Sequence, residues 1–161
     1  MRIIVLSDTH IPVCVDTLPS KIYDYITGSD MIVHAGDIVE KSFLDELKTL
    51  KEVKAVCGNM DSMELSKCLP KKLIFTAGGK KIGITHGYGC KGDVVKNVME
   101  TFKEKLDIII FGHTHNVINK KIDGTIYFNP GSATDMAISG KCSFGVIDIN
   151  GDEIKTEIIE C

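Results

Sequence analysis

Ten short runs of apolar and β-branched residues recur along this 161-residue chain, and each is bounded by turn-forming residues. Such runs are typical of buried β-strands. The predicted strands are 2–6, 31–35, 53–57, 72–76, 81–85, 107–111, 117–122, 125–128, 143–149 and 154–159. Apolar residues at helical spacing predict helices within 16–28, 41–51 and 91–105. The chain therefore alternates strands and helices in its first half and is rich in strands in its second half.

The order of these elements predicts an α/β (α+β) fold with mixed sheets. Strands that alternate with helices are joined by crossover connections and lie parallel. Asp123-Gly124 and Asn150-Gly151 each separate two predicted strands of the second half, and such dipeptides favour tight hairpin turns between antiparallel strands. No repeat, low-complexity stretch or Pro/Gly/Ser-rich linker divides the sequence, so we expect a single domain over residues 1–161.

Charge and hydropathy disfavour several classes of protein. The 19 basic and 22 acidic residues give a formal net charge of −3, which disfavours binding to long nucleic acids. Arg2 is the single arginine, so we expect no bidentate arginine clamp on a phosphate. No apolar run is long enough to cross a bilayer, and the first run is too short for a signal peptide, so we expect a cytoplasmic protein that does not enter membranes. The six cysteines form no C-x-x-C pair and favour neither a disulfide framework nor a thiolate zinc site.

Five of the predicted strands are followed by side chains that can bind a metal ion, mostly next to a glycine. Because the carboxyl ends of parallel strands meet at one edge of a sheet, we expect these side chains to lie close together. Glycine allows sharp turns and a close approach of neighbouring loops. The candidate metal ligands are Asp8, His10, Asp37, Asn59, His86, His113 and His115.

This ligand set favours two divalent metal ions over one. Oxygen and nitrogen donors without sulfur suit Mn²⁺, which we favour, or Ni²⁺, Fe²⁺ or Zn²⁺. Seven ligands are too many for one tetrahedral zinc ion, but they suit two ions that share a carboxylate. Asp37, on a Gly-Asp turn, is the natural bridge. Two adjacent ions can generate a hydroxide nucleophile, stabilise an in-line displacement at phosphorus and bind the phosphate in place of arginine.

The order of these residues resembles the calcineurin-like metallophosphoesterase superfamily. The matching motifs are Asp8-x-His10, Gly36-Asp37, Gly58-Asn59, His86 and Gly112-His113-x-His115. The small size and the stretches 34–37 and 129–132 are similar to the compact bacterial and archaeal phosphodiesterase branch. The resemblance covers most of the chain and implies a metallophosphatase-like, four-layer sandwich of two mixed β-sheets flanked by helices.

The resemblance also implies how the ligands divide between the ions and what they do. One ion would be held by Asp8, His10, Asp37 and His115, and the other by Asp37, Asn59, His86 and His113. Asp37, Asn59 and His113 would act in catalysis, with Asn59 also contacting a phosphate oxygen. The implied activity is that of a phosphoric diester hydrolase acting on a small phosphodiester.

One position departs from the family pattern. Many members read G-N-H-[DE], in which the histidine aids the leaving group or binds phosphate, whereas this chain has Met60 after Asn59 and then Asp61. Methionine cannot donate a proton, so we expect slow cleavage of esters with poor leaving groups and little effect on activated diesters. Asp61 is expected to orient either the Asn59 loop or His86.

Two other functions stay open. A phosphomonoesterase or nuclease of the same superfamily would use the same ligands, although the missing histidine disfavours efficient monoester hydrolysis. A non-catalytic interaction scaffold is the other alternative, because the retromer subunit of similar fold serves binding, although here every expected ligand is present. The sequence leaves the oligomeric state open, and a homo-oligomer is compatible with it.

Five residues near the motifs have roles that the sequence leaves open. Ser132 and Asp135 are candidates for the border of the site, with an ordinary turn or loop as the alternative. His34 ends a predicted strand, and we expect a hydrogen-bonded core histidine or a residue that supports Asp37. Tyr88 and Cys90 follow His86 and are candidates for the substrate entrance, with an ordinary loop as the alternative.

Overall fold

Ten strands and four helices are present in a computed structural model that describes residues 1–89, 94–136 and 140–161. They are β1 (Arg2–Leu6), α1 (Ser20–Thr27), β2 (Met31–His34), α2 (Lys41–Leu50), β3 (Glu52–Ala55), α3 (Met63–Cys68), β4 (Lys72–Ala77), β5 (Lys80–Thr85), α4 (Val94–Thr101), β6 (Ile108–Ile110), β7 (Ile118–Ile122), β8 (Thr125–Asn129), β9 (Ser143–Asn150) and β10 (Glu153–Glu160). All ten predicted strands are confirmed, because period and composition identify short β-branched runs well.

The helix α3 escaped the sequence analysis. Its six residues are too few to show helical periodicity, and its clearest signal is a capping residue. The Ser62 Oγ atom accepts a hydrogen bond from the backbone N–H of Leu65 over 3.4 Å. The longest helix in the described ranges, α2, has 10 residues, and none of the helices there has the length and apolar character that a membrane crossing requires.

The strands form two five-stranded mixed sheets. The first has the order β10-β9-β1-β2-β3, in which β1, β2 and β3 are parallel and β9 and β10 are antiparallel additions. The second has the order β4-β5-β6-β8-β7, in which β5, β6 and β8 are parallel and the edge strands are antiparallel. Each sheet therefore combines crossover connections with hairpins, as the order of elements predicted.

Three apolar clusters separate four layers. Ile3 and Val5 of β1 belong to the cluster between the two sheets, whereas Ile4 and Leu6 belong to the cluster under α1 and α2. A third cluster, which includes Val98 of α4, covers the outer face of the second sheet. Strands buried on both faces read as continuous apolar runs, as these do. The structure is a helix–sheet–sheet–helix sandwich, and the predicted fold class is confirmed.

Close packing of the two sheets depends on Gly145 of β9. A Cβ atom at this position would lie 2.6 Å from Phe128 Cζ and 3.2 Å from Val5 Cβ, so a side chain here would force the sheets apart. By contrast, a Cβ atom at Gly28 would meet nothing closer than the Tyr25 carbonyl oxygen at 3.9 Å.

We expect Gly145→Ala to lower the free energy of unfolding by about 2 kcal/mol, because overpacking a tight core forces neighbouring side chains from their preferred positions. The control Gly28→Ala should change it by less than about 0.5 kcal/mol. Urea unfolding followed by circular dichroism, with a chelator present, measures both. Equal midpoints for the two variants would show that the sheets have room to adjust.

Candidate metal centre

The seven candidate ligands, which lie in loops after β1, β2, β3, β5 and β6, come together at one edge of the sandwich. Six of them form two groups, which are Asp8, His10 and His115, and Asp37, His86 and His113. Within each group, one ligand atom of each residue lies within 4.8 Å of the others. The seventh, Asn59, places its Oδ1 atom 3.0 Å from His86 Nε2. Both sheets thus contribute donors to a single site.

Asp37 lies between the two groups. Its Oδ2 atom is 3.2 Å from His86 Nε2 in one group and 3.8 Å from His10 Nε2 in the other. Asp8 is also close to both groups, with its Oδ1 atom 3.5 Å from His115 Nε2 and 4.0 Å from His86 Nε2. A carboxylate that faces histidines on both sides has the position that a bridging ligand requires.

The backbone at five of the seven candidate ligands is left-handed, a conformation that residues with a side chain rarely adopt. The φ angles are 51° at Asp8, 46° at His10, 58° at Asp37, 69° at His113 and 56° at His115. Each such residue costs about 1–2 kcal/mol. Backbone strain of this kind is concentrated at functional sites, where the surrounding structure holds it in place.

Hydrogen bonds and glycines between the loops hold this backbone in place. The N–H of Asp8 donates to the Gly36 carbonyl oxygen over 3.0 Å. A Cβ atom at Gly36, whose φ is 97°, would lie 2.7 Å from His86 Nδ1. A Cβ atom at Gly112 would overlap the Ser7 hydroxyl. Glycine at both positions therefore allows the close approach that the motif spacing predicted.

The two aspartates differ in their electrostatic surroundings. Burial raises the pKa of Asp8 to about 7, although His86 and a hydrogen bond from the Ser7 hydroxyl favour its charged form. Burial also raises the pKa of Asp37, but the hydrogen bond and charge of His86 outweigh it and hold that pKa below its ordinary value. A nearby cation would favour the ionised form of both carboxylates.

A polar atom without a partner gives an independent indication of a ligand. In the part of the chain that the structure describes, the buried His10 Nε2 and His115 Nδ1 atoms accept and donate no hydrogen bond. His115 Nδ1 lies 3.4 Å from Asp135 Oδ2, whereas His10 Nε2 faces Asp37. Unsatisfied buried nitrogen atoms are uncommon. Together with the oxygen and nitrogen donor set, the His10 Nε2 atom fits a divalent metal ion at this site.

His34 supports the site from behind. Its ring is fully buried, and burial lowers its pKa to about 3, so the imidazole is neutral. Its Nε2 atom lies 3.0 Å from the Thr9 hydroxyl, and its Nδ1 atom accepts a hydrogen bond from the Gly36 N–H over 3.3 Å. These contacts fit the expected core role beside the Gly36-Asp37 turn.

Asp61 connects two loops of the site. Its Oδ1 atom accepts hydrogen bonds from the backbone N–H groups of Ile38 and Val39 over 2.6 and 2.7 Å, and its Oδ2 atom accepts one from Gly58 over 2.7 Å. The carboxylate therefore orients the Asn59 loop against the Asp37 loop, which is the first of the two roles that the sequence suggested. The His86 ring instead contacts the Ala35 carbonyl oxygen, Asn59 Oδ1 and Asp37 Oδ2.

Three further polar residues contact the ligands. The sequence names Ser132 and Asp135 as candidates for the border of the site, and it assigns no role to Ser7. Ser7 Oγ donates to Asp8 Oδ2 over 2.6 Å, and Ser132 Oγ donates to the Asp8 carbonyl oxygen over 2.7 Å. The third is Asp135, beside His115. A carboxylate beside the second nitrogen of a histidine ligand commonly sets the orientation of the ring. No sequence spacing reveals these contacts, apart from the position of Ser7 directly before Asp8.

The structure describes one of the two residues proposed for the substrate entrance. The Tyr88 ring is exposed, and its centroid lies 5.3 Å from that of His113 in an edge-on arrangement. Cys90 lies outside the described residues.

The chain is similar to known proteins over nearly its whole length. Residues 1–152 match the calcineurin-like phosphoesterase superfamily domain. A probable metallophosphoesterase from Methanothermobacter thermautotrophicus is 32% identical over 160 residues, which cover 99% of this chain and 92% of that protein. Wild-type Vps29 from Entamoeba histolytica, solved in complex with Zn²⁺, has a TM-score of 0.78 and 28% identity, with 99% of both chains covered.

An archaeal phosphodiesterase shares the fold, with a TM-score of 0.73, 22% identity and coverage of 99% of this chain and 100% of that chain. The family match spans nearly the whole sequence and includes every candidate ligand. This protein is therefore a member of the calcineurin-like phosphoesterase superfamily.

Proposed function

We propose that this protein is a phosphodiesterase that depends on two divalent metal ions bound side by side. The observation that carries the proposal is the convergence of seven residues with oxygen and nitrogen donors, among which Asp37 faces histidines of both groups. The unpartnered His10 Nε2 atom in the described part of the site supports it. The donor set favours Mn²⁺, with Ni²⁺, Fe²⁺ or Zn²⁺ as alternatives.

Each ion would have its own ligands. Asp8, His10, Asp37 and His115 would hold one, and Asp37, Asn59, His86 and His113 would hold the other. When bound, the ions would supply Lewis acidity that activates water and neutralises charge on the phosphate. The chain's single guanidinium cannot take that role, because Arg2 pairs with Asp148 over 2.9 Å at the opposite end of β1.

Hydrolysis of a diester forms a bond from a water oxygen to phosphorus, with loss of a proton from the water, and breaks the bond from phosphorus to the leaving oxygen. That oxygen takes up a proton unless it is stable as an anion. Asn59 contributes by orientation, since its Oδ1 atom faces His86 and its amide N–H₂ group is left to donate to a phosphate oxygen. The Met60 N–H donates to Asp37 Oδ1 over 2.7 Å, but its side chain has no proton to give. Activated diesters need no such proton, so they are the substrates that this site suits best.

The similarity to Vps29 favours a second candidate, a protein-binding scaffold without catalysis. Such a role needs no complete donor set. Activity measurements separate the two functions, because a scaffold would bind metal without turning over any ester.

We expect the chelator-treated protein to be inactive and Mn²⁺ to restore hydrolysis of bis(p-nitrophenyl) phosphate in preference to p-nitrophenyl phosphate.

Asp37→Asn should lower kcat/KM by about 100-fold or more, since it weakens the ligand shared by both ions. The control Asp152→Asn lies at an exposed turn and should keep wild-type activity. Absorbance at 405 nm, measured across Mn²⁺, Ni²⁺, Zn²⁺ and Mg²⁺, follows the reaction. The absence of metal-dependent turnover of either ester would contradict the proposed enzymatic function.

Met60→His tests the missing acid. The Met60 side chain is half-exposed, so a histidine fits without repacking the core. We expect about a tenfold or greater gain in kcat/KM for a diester with a poor leaving group, because a positioned acid contributes at least about that much. The gain for bis(p-nitrophenyl) phosphate should be small. An equal effect on both esters would show that the acid does not act from this position.

Asp8→Asn separates metal binding from stability. Because the folded pKa of Asp8, about 7, lies above its ordinary value of 3.8, folding of the metal-free protein becomes less favourable as the pH rises between these values. The variant should therefore raise the free energy of unfolding at pH 8 by about 1–3 kcal/mol and change it little at pH 4. It should also abolish stabilisation by added Mn²⁺.

Urea unfolding at both pH values, with and without chelator, measures these effects, and the titration of His34 cancels because both proteins contain it. A variant that is equally destabilised at pH 4 and pH 8 would contradict the assignment of a buried, unfavourable charge at Asp8.

A further inference from the structure

A cavity of about 450 Å³ opens beside the candidate metal centre. Asn59 and His86 belong to both, so the cavity is continuous with the place where the phosphate would lie. Lys71, Thr85, Tyr88 and Cys57 line its other sides. Its volume falls within the range of about 300–1,000 Å³ that is typical of small-molecule sites. One of the two organic groups of a bound diester would therefore enter it.

The Tyr88 ring gives this cavity an aromatic wall. The residue is 69% exposed, so a face of its ring is open to a ligand. Its edge-on contact with His113 fixes the ring at the side of the metal centre. Exposed aromatic rings beside nucleotide-sized sites commonly stack on planar groups.

Lys71 provides the positive charge of the cavity. Over the described ranges, its ammonium group forms no ion pair, whereas Lys80 pairs with Asp152 and Lys81 pairs with Glu104. The Thr85 hydroxyl donates to the Lys71 carbonyl oxygen over 3.5 Å, which holds the backbone of Lys71 against β5. No carboxylate is among the described residues that line the cavity. Its chemistry thus suits a group that carries hydrogen-bond acceptors.

We propose that this cavity selects diesters in which one organic group is a planar ring of nucleobase size with acceptor atoms. The ring stacks on Tyr88, and its acceptors bind the Lys71 ammonium group. This inference rests on the proposed phosphodiesterase function and names the substrate class of the same site. A second cavity of about 320 Å³ lies beside His115, but Glu160 lines it and Val117 takes the place of an aromatic wall.

Two chromogenic esters test the selection. Thymidine 5′-(p-nitrophenyl phosphate) and methyl p-nitrophenyl phosphate have the same leaving group and differ only in the other organic group. The Mn²⁺-loaded protein should cleave the thymidine ester with a kcat/KM at least about tenfold higher, which is the effect of one stacked base. Equal values for the two esters would overturn the inference and leave the phosphodiesterase proposal standing.

Variants locate the preference. Tyr88→Ala should bring the ratio of the two kcat/KM values close to one, Tyr88→Phe should keep it, and Lys71→Met should raise KM for the thymidine ester several-fold. The matched control Val117→Ala removes an exposed apolar side chain from the second cavity and should keep the ratio. Loss of the preference in Val117→Ala but not in Tyr88→Ala would place the thymine ring in the second cavity, beside His115, and overturn the assignment.

A binding measurement keeps the inference testable if neither ester is hydrolysed, an outcome that would contradict the proposed function alone. Thymidine 5′-monophosphate is titrated into the protein loaded with Zn²⁺, which is diamagnetic and would hold the phosphate, and binding is followed by NMR. The signals of the Tyr88 ring and the Lys71 side chain, identified from the Tyr88→Phe and Lys71→Met spectra, should shift with a common saturation curve. Shifts confined to other residues would overturn the inference.

Discussion

Two carboxylates, Asp8 and Asp37, are buried together at the edge of the sandwich, and the surrounding site is arranged around them. Buried negative charge is unfavourable unless hydrogen bonds or cations offset it. Ser7 and the His113 N–H donate to Asp8, while His86 and the Met60 N–H face Asp37. A pKa of about 7 at Asp8 shows that these contacts do not offset the charge completely. The remaining imbalance would favour a cation bound between these carboxylates.

The packing between the sheets sets the spacing of this site. Asp8 and Asp37 follow strands of the first sheet, whereas His86 and His113 follow strands of the second. The apolar cluster between the sheets therefore determines how far the two halves of the site lie from each other. Gly145 lies far along the chain from most of the ligands, yet it affects their spacing because the two sheets pack tightly at this residue.

Sequence reasoning recovered the strands and the convergence of the motif residues, because both follow from local pattern and from the shared edge of parallel strands. It missed α3, since six residues with one capping serine carry little periodic signal. The contact of Asp135 with His115 could not be established from the sequence for a different reason. It joins two loops, and such contacts arise from the register of β-strands and the path of loops rather than from any spacing.

The left-handed backbone of the ligand loops bears on how such a site is lost over time. At five ligand positions a glycine would relieve strain, and at Asp8 a neutral side chain would relieve buried charge. Unselected mutation would thus dismantle the donors while making the molecule more robust, which inverts the usual direction of mutational damage. A site that kept its complete donor set against this trend would have to be preserved by selection for what the donors bind, since stability alone would favour their loss.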